Sequence, residues 1–360
     1  MRRKRSALAL VASATALIAL TACSGSATGD AAEFSLRSND WNPPAHPFNA
    51  GGWEPFADAI AEATDGRVTI ENYPSEGLGA VADTLTLLDS GAADLASTVV
   101  AYHPTELPLA QITAAQSWDD AALSAQAMWE MCQQDPFKSE FLAAGIVPIM
   151  CTSVSPYELL TADKEITTIP GAFENSRLRA TGLQGKIVEA LGGTPTSDSS
   201  TEIYLRMEQG SIDGTTAGWY TLPALSLDEV TSNATLGLDS WNAGMVVFGV
   251  STALWEEFPE DVKESFRELG RQYSYEVATA VDAQDAQAQA DAEGEIAVYE
   301  VSDSEREEVR GVVSTVVANW VSEMESTLGL GDQAQEAADL LASLQDIESL
   351  PYEQWTPSTY

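Results

Sequence analysis

Few residues of this 360-residue chain are of the kinds that do chemistry: it has two histidines, His46 and His103, and three cysteines, Cys23, Cys132 and Cys151. No Cys or His pair stands at metal-ligand spacing, so no metal site is expected. There is no Gly-x-Ser-x-Gly elbow, and a hydrolytic triad would have to use one of the two histidines. The run Gly77-Leu78-Gly79-Ala80-Val81-Ala82 fits a loose dinucleotide pattern ahead of a helix. A phosphate loop follows its strand directly, whereas Pro74-Ser75-Glu76 intervene here, so no cofactor is expected. With 55 Asp plus Glu, pairing two as a glycosidase dyad is uninformative. Set against 17 Lys plus Arg, those acids give a formal charge of −38. Nucleic-acid binding needs clustered cations to neutralise phosphates, so that class of partner is set aside.

Cys23 reads as part of an address. Arg2, Arg3, Lys4 and Arg5 precede an apolar stretch, Ala7 to Ala19, that is too short to span a membrane comfortably. Leu20-Thr21-Ala22-Cys23 resembles the bacterial lipobox, whose cysteine receives a diacylglycerol before cleavage. The expectation is a signal peptide over 1–22, a lipidated Cys23 and a polar tether over 23–32, which anchor an extracytoplasmic body to the outer face of the cell membrane. Without residues 1–22 the body has 13 basic and 55 acidic side chains, a charge of −42. Disulfides form in that compartment. A Cys132–Cys151 bridge would close a loop of about 20 residues and contribute about 3 kcal/mol; two separate buried thiols are the alternative.

The elements that must position these residues alternate. Strands are expected at Phe34 to Ser38, Val68 to Tyr73 and Asp94 to Val100, with Ile146 to Cys151 a further apolar run. Helices are expected at Gly52 to Thr64, Ala80 to Ser90 and Ala121 to Gln133. This alternation indicates an α/β fold on largely parallel sheets. A second series begins near Leu159: a strand at Arg177 to Thr181, helices at Gln184 to Leu191 and Glu202 to Gln209, and a buried strand at Met245 to Val250. Pro259-Glu260-Asp261 opens a helical pattern to Ala292, since acids suit the N-terminal dipole. Helices at Ser304 to Leu328 and Gln333 to Leu344 follow.

Several pieces, in order, resemble one family. Thr64-Asp65-Gly66-Arg67-Val68, Tyr73-Pro74, Gly77-Leu78-Gly79, Gly91 and Asp94 are similar to the opening of solute-binding proteins of tripartite ATP-independent periplasmic (TRAP) transporters, the DctP type. Arg177-Leu178-Arg179 resembles that family's Lys-Ile-Arg. Leu191 to Pro195, Glu202-Ile203-Tyr204 with Gly210, Ile212-Asp213-Gly214 and Trp255 to Val262 continue the likeness. The resemblance implies a two-lobe flytrap fold of the type II periplasmic-binding kind. Lobe one would be 31–154 plus 244–284, lobe two 155–243 plus 285–360, and the helix after Pro259 would bridge them. It also implies a receptor that takes up a small organic acid and delivers it to TRAP membrane subunits without catalysis. A sensory binding protein and a secreted hydrolase are the alternatives.

In the family the arginine ending Lys-Ile-Arg holds the ligand carboxylate, which points here to Arg179. A guanidinium offers a carboxylate two parallel donors. Arg177, two positions away on the same strand face, is either a salt-bridging partner or the true ligand residue in its place. Two departures bear on the ligand. Ala217 stands where many members have a ligand-touching asparagine, and Glu158 lies near the place of a second arginine. Trp219 and Tyr220 could form a flat wall for an apolar, aromatic or cyclic acid, with core packing of one of them as the alternative, and Glu158, if it lines the cleft, would suit a hydroxyl or ammonium. Trp41, Asn42, His46 and Tyr102, after lobe-one strands, and Trp241 and Asn242, near the crossover, complete the candidates.

Overall fold

The computed structural model describes residues 32–360 except 117, 119, 155, 170, 239–241 and 243. The signal segment, the lipobox with Cys23, nearly all of the tether, and Trp241 lie outside the described residues.

Strands β1 (Phe34–Asn39), β2 (Val68–Tyr73), β3 (Leu95–Val99) and β4 (Ile146–Thr152) begin one sheet. The chain then builds most of a second from β5 (Glu158–Thr161), β6 (Arg177–Arg179), β7 (Thr194–Thr196), β8 (Gly214–Ala217) and β9 (Asn233–Leu236). It returns to the first as β10 (Val246–Ser251) and to the second as β11 (Ala297–Glu300). The strand orders are β2-β1-β3-β10-β4 and β11-β9-β5-β8-β6-β7. This is the α/β two-lobe fold, one sheet to each lobe. Both sheets are mixed: β10 pairs antiparallel with β3 and β4, and β5 with β8 and β9, while the other pairings are parallel. The two reversed strands, β5 and β10, follow short connections from the other lobe, 153–157 and 237–245, whereas a parallel pairing needs a longer crossover of a dozen or more residues.

Helices α1 (Glu54–Ala63), α2 (Thr84–Asp89), α3 (Ala121–Cys132) and α4 (Phe137–Ala143) belong to the first series. The second has α5 (Gly182–Ala190), α6 (Ile203–Glu208) and α7 (Thr221–Leu225). After β10 come α8 (Thr252–Glu257) and α9 (Glu260–Asp291), then α10 (Asp303–Leu328) and α11 (Gly331–Ser343). The first core gathers Trp53, Phe56, Phe248 and Phe266: Trp53 stacks on Phe56 at 5.5 Å and meets Phe248 at 5.0 Å. Each such side chain contributes about 2 kcal/mol on burial.

Helix α9 bridges the lobes. Its first half runs along β4, where Gly270 is required because any Cβ would collide with the Ile149 carbonyl. Near its end Asp282 accepts from the Ala121 and Ala122 N–H groups at the start of α3, in lobe one. One turn on, Asp285 accepts from Tyr220 N–H at the start of α7, and Ala288 joins the second lobe's core. The tail 344–360, grouped with lobe two in the sequence reading, hydrogen-bonds to α3 and the segment before it in lobe one. Trp118 donates to Leu344 O, Trp129 to Thr356 O, and the Tyr360 hydroxyl to Cys132 O. Cys132 and Cys151 are joined in a disulfide that ties α3 to β4. Among the described residues, no helix is long and apolar enough to cross a membrane.

Candidate ligand-binding site

Arg179 ends β6 in register with Thr215 of β8 and Thr196 of β7, at the carboxyl edge of parallel strands. Ligands of open α/β sheets collect at that edge. The chain then turns through Gly182 at φ +54°, where a side chain would meet Gln111 and the Ala101 backbone of the other lobe. The glycine therefore lets α5 begin against lobe one. Arg179 is buried, and its Nε donates to Asp198 O at 3.1 Å and its Nη2 to the Tyr102 hydroxyl at 2.7 Å. The Asp198 carboxylate is engaged elsewhere, with Arg206 at 2.7 Å. Among the described residues, no carboxylate pairs with Arg179.

Arg179 faces a small cavity between the lobes, about 50 Å³ as counted for the centre of a water-sized sphere. Lobe one contributes Trp41, Asn42, His46 and Tyr102; lobe two contributes Ala217 and Tyr220, all sequence candidates. The Tyr102 hydroxyl also accepts from Ser200 N–H at 3.2 Å, so one phenol of lobe one joins two groups of lobe two. Tyr220 meets the His46 ring edge-on at 5.4 Å. Burial pushes the Tyr157 and Tyr220 phenols above their ordinary range, which keeps them protonated donors. Phe48, Val99, Val154, Ile203 and Val246 make the remaining wall largely apolar.

Three candidates are elsewhere. Trp219 packs in the second lobe's core, while Tyr220, which turns into α7 with helical dihedrals, takes the cavity side. Glu158 opens β5 opposite Ala217 and does not line the cavity; its neighbour Tyr157 does. Asn242 is locked in the crossover, giving Nδ2 to Gln116 O at 2.7 Å and taking Gly244 N–H on Oδ1 at 2.6 Å. Arg177 is half exposed and pairs with Asp213 at 2.7 Å, which removes it as a rival to Arg179. Partial burial pushes the Asp213 carboxyl up, but the Arg177 guanidinium and N–H bring it below its ordinary value.

Sequence reasoning missed Tyr157, Thr181, Gln184 and Ser200. Strand alternation around Glu158 would have found Tyr157, and the first turn of α5 after Arg179 would have found Gln184. Burial lowers the His46 imidazole to about 3 and the His103 imidazole to about 4. Both are neutral at ordinary pH, so Arg179 is the cation of this cavity. His103 bonds Thr98 Oγ1 at 2.8 Å and does not line it. Among the described residues, no cluster of metal-ligating side chains occurs.

The sequence profile of bacterial extracellular solute-binding protein family 7 (DctP) matches residues 39–323. An uncharacterised protein of Sinorhizobium fredii is 27% identical over 191 residues, 52% of this chain and 35% of its own length. A solute-binding protein of Roseobacter denitrificans is 25% identical over 215 residues, 57% of this chain and 63% of its own. The chain thus spans less than two thirds of either relative. Solved structures are matched over nearly their full length. A TRAP solute-binding protein from Rhodoferax ferrireducens, in complex with benzoate, has a TM-score of 0.78 at 20% identity, covering 88% of this chain and 99% of that one. One from Bordetella bronchiseptica, with (R)- and (S)-mandelate, has 0.77 at 23%, covering 87% and 99%. One from Chromohalobacter salexigens, with D-glucuronate, has 0.73 at 20%, covering 87% and 100%. At these identities the structural likeness establishes the two-lobe fold, and the profile match over most of the chain establishes the lineage: the chain belongs to bacterial extracellular solute-binding protein family 7, the solute-binding proteins of TRAP transporters.

Proposed function

We propose that this protein is an extracytoplasmic receptor that captures a small monocarboxylate with a flat, largely apolar body and presents it to TRAP membrane subunits, performing no reaction. The observation that carries this reading is the buried Arg179 guanidinium, which faces the cavity with a carbonyl and a phenol as partners and, among the described residues, no carboxylate. A buried cation left uncompensated is costly, and an incoming carboxylate supplies the missing charge with bidentate geometry. With one cation in the lining and aromatic and aliphatic walls, a single carboxylate on an apolar frame fits better than a dicarboxylate. Benzoate and mandelate in two of the similar structures support that choice of frame. Closure is a population shift, because both lobes touch the ligand only when they are together. We further assign anchoring at the membrane to a lipidated Cys23, with lobes near the limits given in the sequence analysis apart from the tail.

The test is a thermal-shift and calorimetric screen of aromatic and aliphatic monocarboxylates, on the native protein and on Arg179→Ala. Stabilisation by aromatic acids that drops at least about 100-fold in affinity in the variant is expected. Affinity that is unchanged in Arg179→Ala overturns the assignment.

A further inference from the structure

Two groups on the lobe-one wall have hydrogen-bonding capacity that no described residue uses. Asp40, fully buried behind the cavity, takes three donors on Oδ1: Asn42 N–H at 3.0 Å, Asn42 Nδ2 at 3.1 Å and Ser97 Oγ at 2.7 Å. An oxygen receiving three donors is an acceptor whatever the charge of its carboxyl. The Asn42 amide must therefore turn its NH2 to Asp40, and its Oδ1 has no partner among the described residues. Four residues on, His46 Nδ1 accepts Phe48 N–H at 3.3 Å, which places the ring proton on Nε2. That N–H is likewise unpartnered among the described residues. Both side chains line the cavity and are more than nine-tenths buried.

The facing wall adds a third. Gln184 gives Nε2 to Asn242 O, which fixes its amide and leaves Oε1, a buried acceptor, without a partner.

A carboxylate is acceptor-only, so the group held by Arg179 serves none of these oxygens. The ligand must bring a donor of its own. A hydroxyl is the group that both donates to an amide oxygen and accepts from an imidazole N–H. An ammonium cannot accept from His46, and among the described residues no carboxylate lines the cavity to receive its charge.

We infer that the receptor selects hydroxy-carboxylic acids, with Asn42 Oδ1 and His46 Nε2–H reading the hydroxyl while Arg179 holds the carboxylate, and with Asp40 as the positioning residue that fixes the Asn42 amide. This rests on the receptor reading above and narrows its ligand class. A plain aromatic acid enters the same cavity but leaves buried polar groups unpaired, which costs binding roughly tenfold or more.

Calorimetry with matched pairs tests it: benzoate against its three monohydroxy derivatives, and phenylacetate against mandelate. At least one hydroxy acid is expected to bind the native protein roughly tenfold tighter than its partner lacking the hydroxyl. In Asn42→Leu that ratio is expected to collapse to within about twofold, an internal comparison that a general loss of stability does not mimic. Acids that bind in an Arg179-dependent way with no pair favouring the hydroxyl overturn this inference and leave the receptor reading standing. No binding by any acid, or binding indifferent to Arg179→Ala, overturns both.

Discussion

The two walls of the cavity are built on opposite electrostatic plans. Lobe two brings one formal charge, Arg179, at the end of a three-residue strand, held by backbone and phenol oxygens. Lobe one brings only neutral groups, Trp41, Asn42, His46 and Tyr102, and keeps its charge behind the wall as Asp40. The division has a physical consequence. A cation opposite a carboxylate on the other lobe would close the empty receptor on itself, whereas a cation opposite neutral dipoles keeps its strongest interaction for the solute. On the receptor reading proposed above, charge on one wall would give affinity, and neutral donors and acceptors on the other would give selection.

The buried carboxylate of lobe one is where this contrast is broken with the largest effect. Burial raises the Asp40 carboxyl from 3.8 to about 6, although Asn42 and Ser97 donate to it. The folded protein therefore holds this proton more tightly than the unfolded chain. The penalty for its charge is absent below about pH 4, grows as pH rises through about 6, and is complete above that, at about 3 kcal/mol. Asn in its place carries no such penalty. The stability of Asp40→Asn relative to the native protein, measured by urea unfolding, is expected to rise by about 3 kcal/mol from pH 4 to pH 8. Parallel pH profiles would show that Asp40 is not a buried charge and would remove the distinction between the walls.

A smaller effect comes from the one side chain that crosses between the plans. The Tyr102 hydroxyl accepts from Arg179 Nη2 and from Ser200 N–H, so Tyr102→Phe leaves two lobe-two donors unanswered when the lobes are together. The cost falls on the closed state alone. Affinity for any acid that stabilises the native protein is expected to fall about tenfold, with little change in the melting of the unliganded protein. Undiminished affinity would mean that lobe one contributes packing and no polar link to the charged wall.

The two walls were also unequally legible in the sequence. The first sheet was readable because β1, β2, β3, β4 and β10 are runs of four or more largely apolar or alternating residues that fill a core. The second sheet was mostly invisible. Its strands β6 and β7 have three residues each, and β8 reads Gly-Thr-Thr-Ala, too short and too polar to show a period. Arg179 was singled out anyway, because the strand that carries it lies in a compact motif, and the structure places it at the cavity. Asn42 and His46 were named as candidates, but their roles depend on which atoms Asp40 and Phe48 already occupy. Spacing does not encode that. Tyr157 and Glu158 show the same limit at its smallest scale, since one step along extended backbone exchanges cavity for flank.

The mildest expected effect separates two arginines of one strand. Arg177 and Arg179 share β6, yet Arg179 ends it inside the cavity while Arg177 is half exposed and reaches back to Asp213 and to Gly210 O. Exposed pairs are weakened by solvent screening and by the entropy of the side chains they hold. Asp213 also retains its hydrogen bond from the Arg177 backbone N–H at 2.7 Å, which any residue at that position provides. Arg177→Ala is therefore expected to move the melting temperature by no more than about 2 °C and to leave acid affinity within about twofold of native. The same titration applied to Arg179→Ala is expected to show the affinity loss of at least about 100-fold given above. If the two variants lose affinity alike, the anion is held by the strand's electrostatic field as a whole, and the assignment of the charged wall to a single side chain fails.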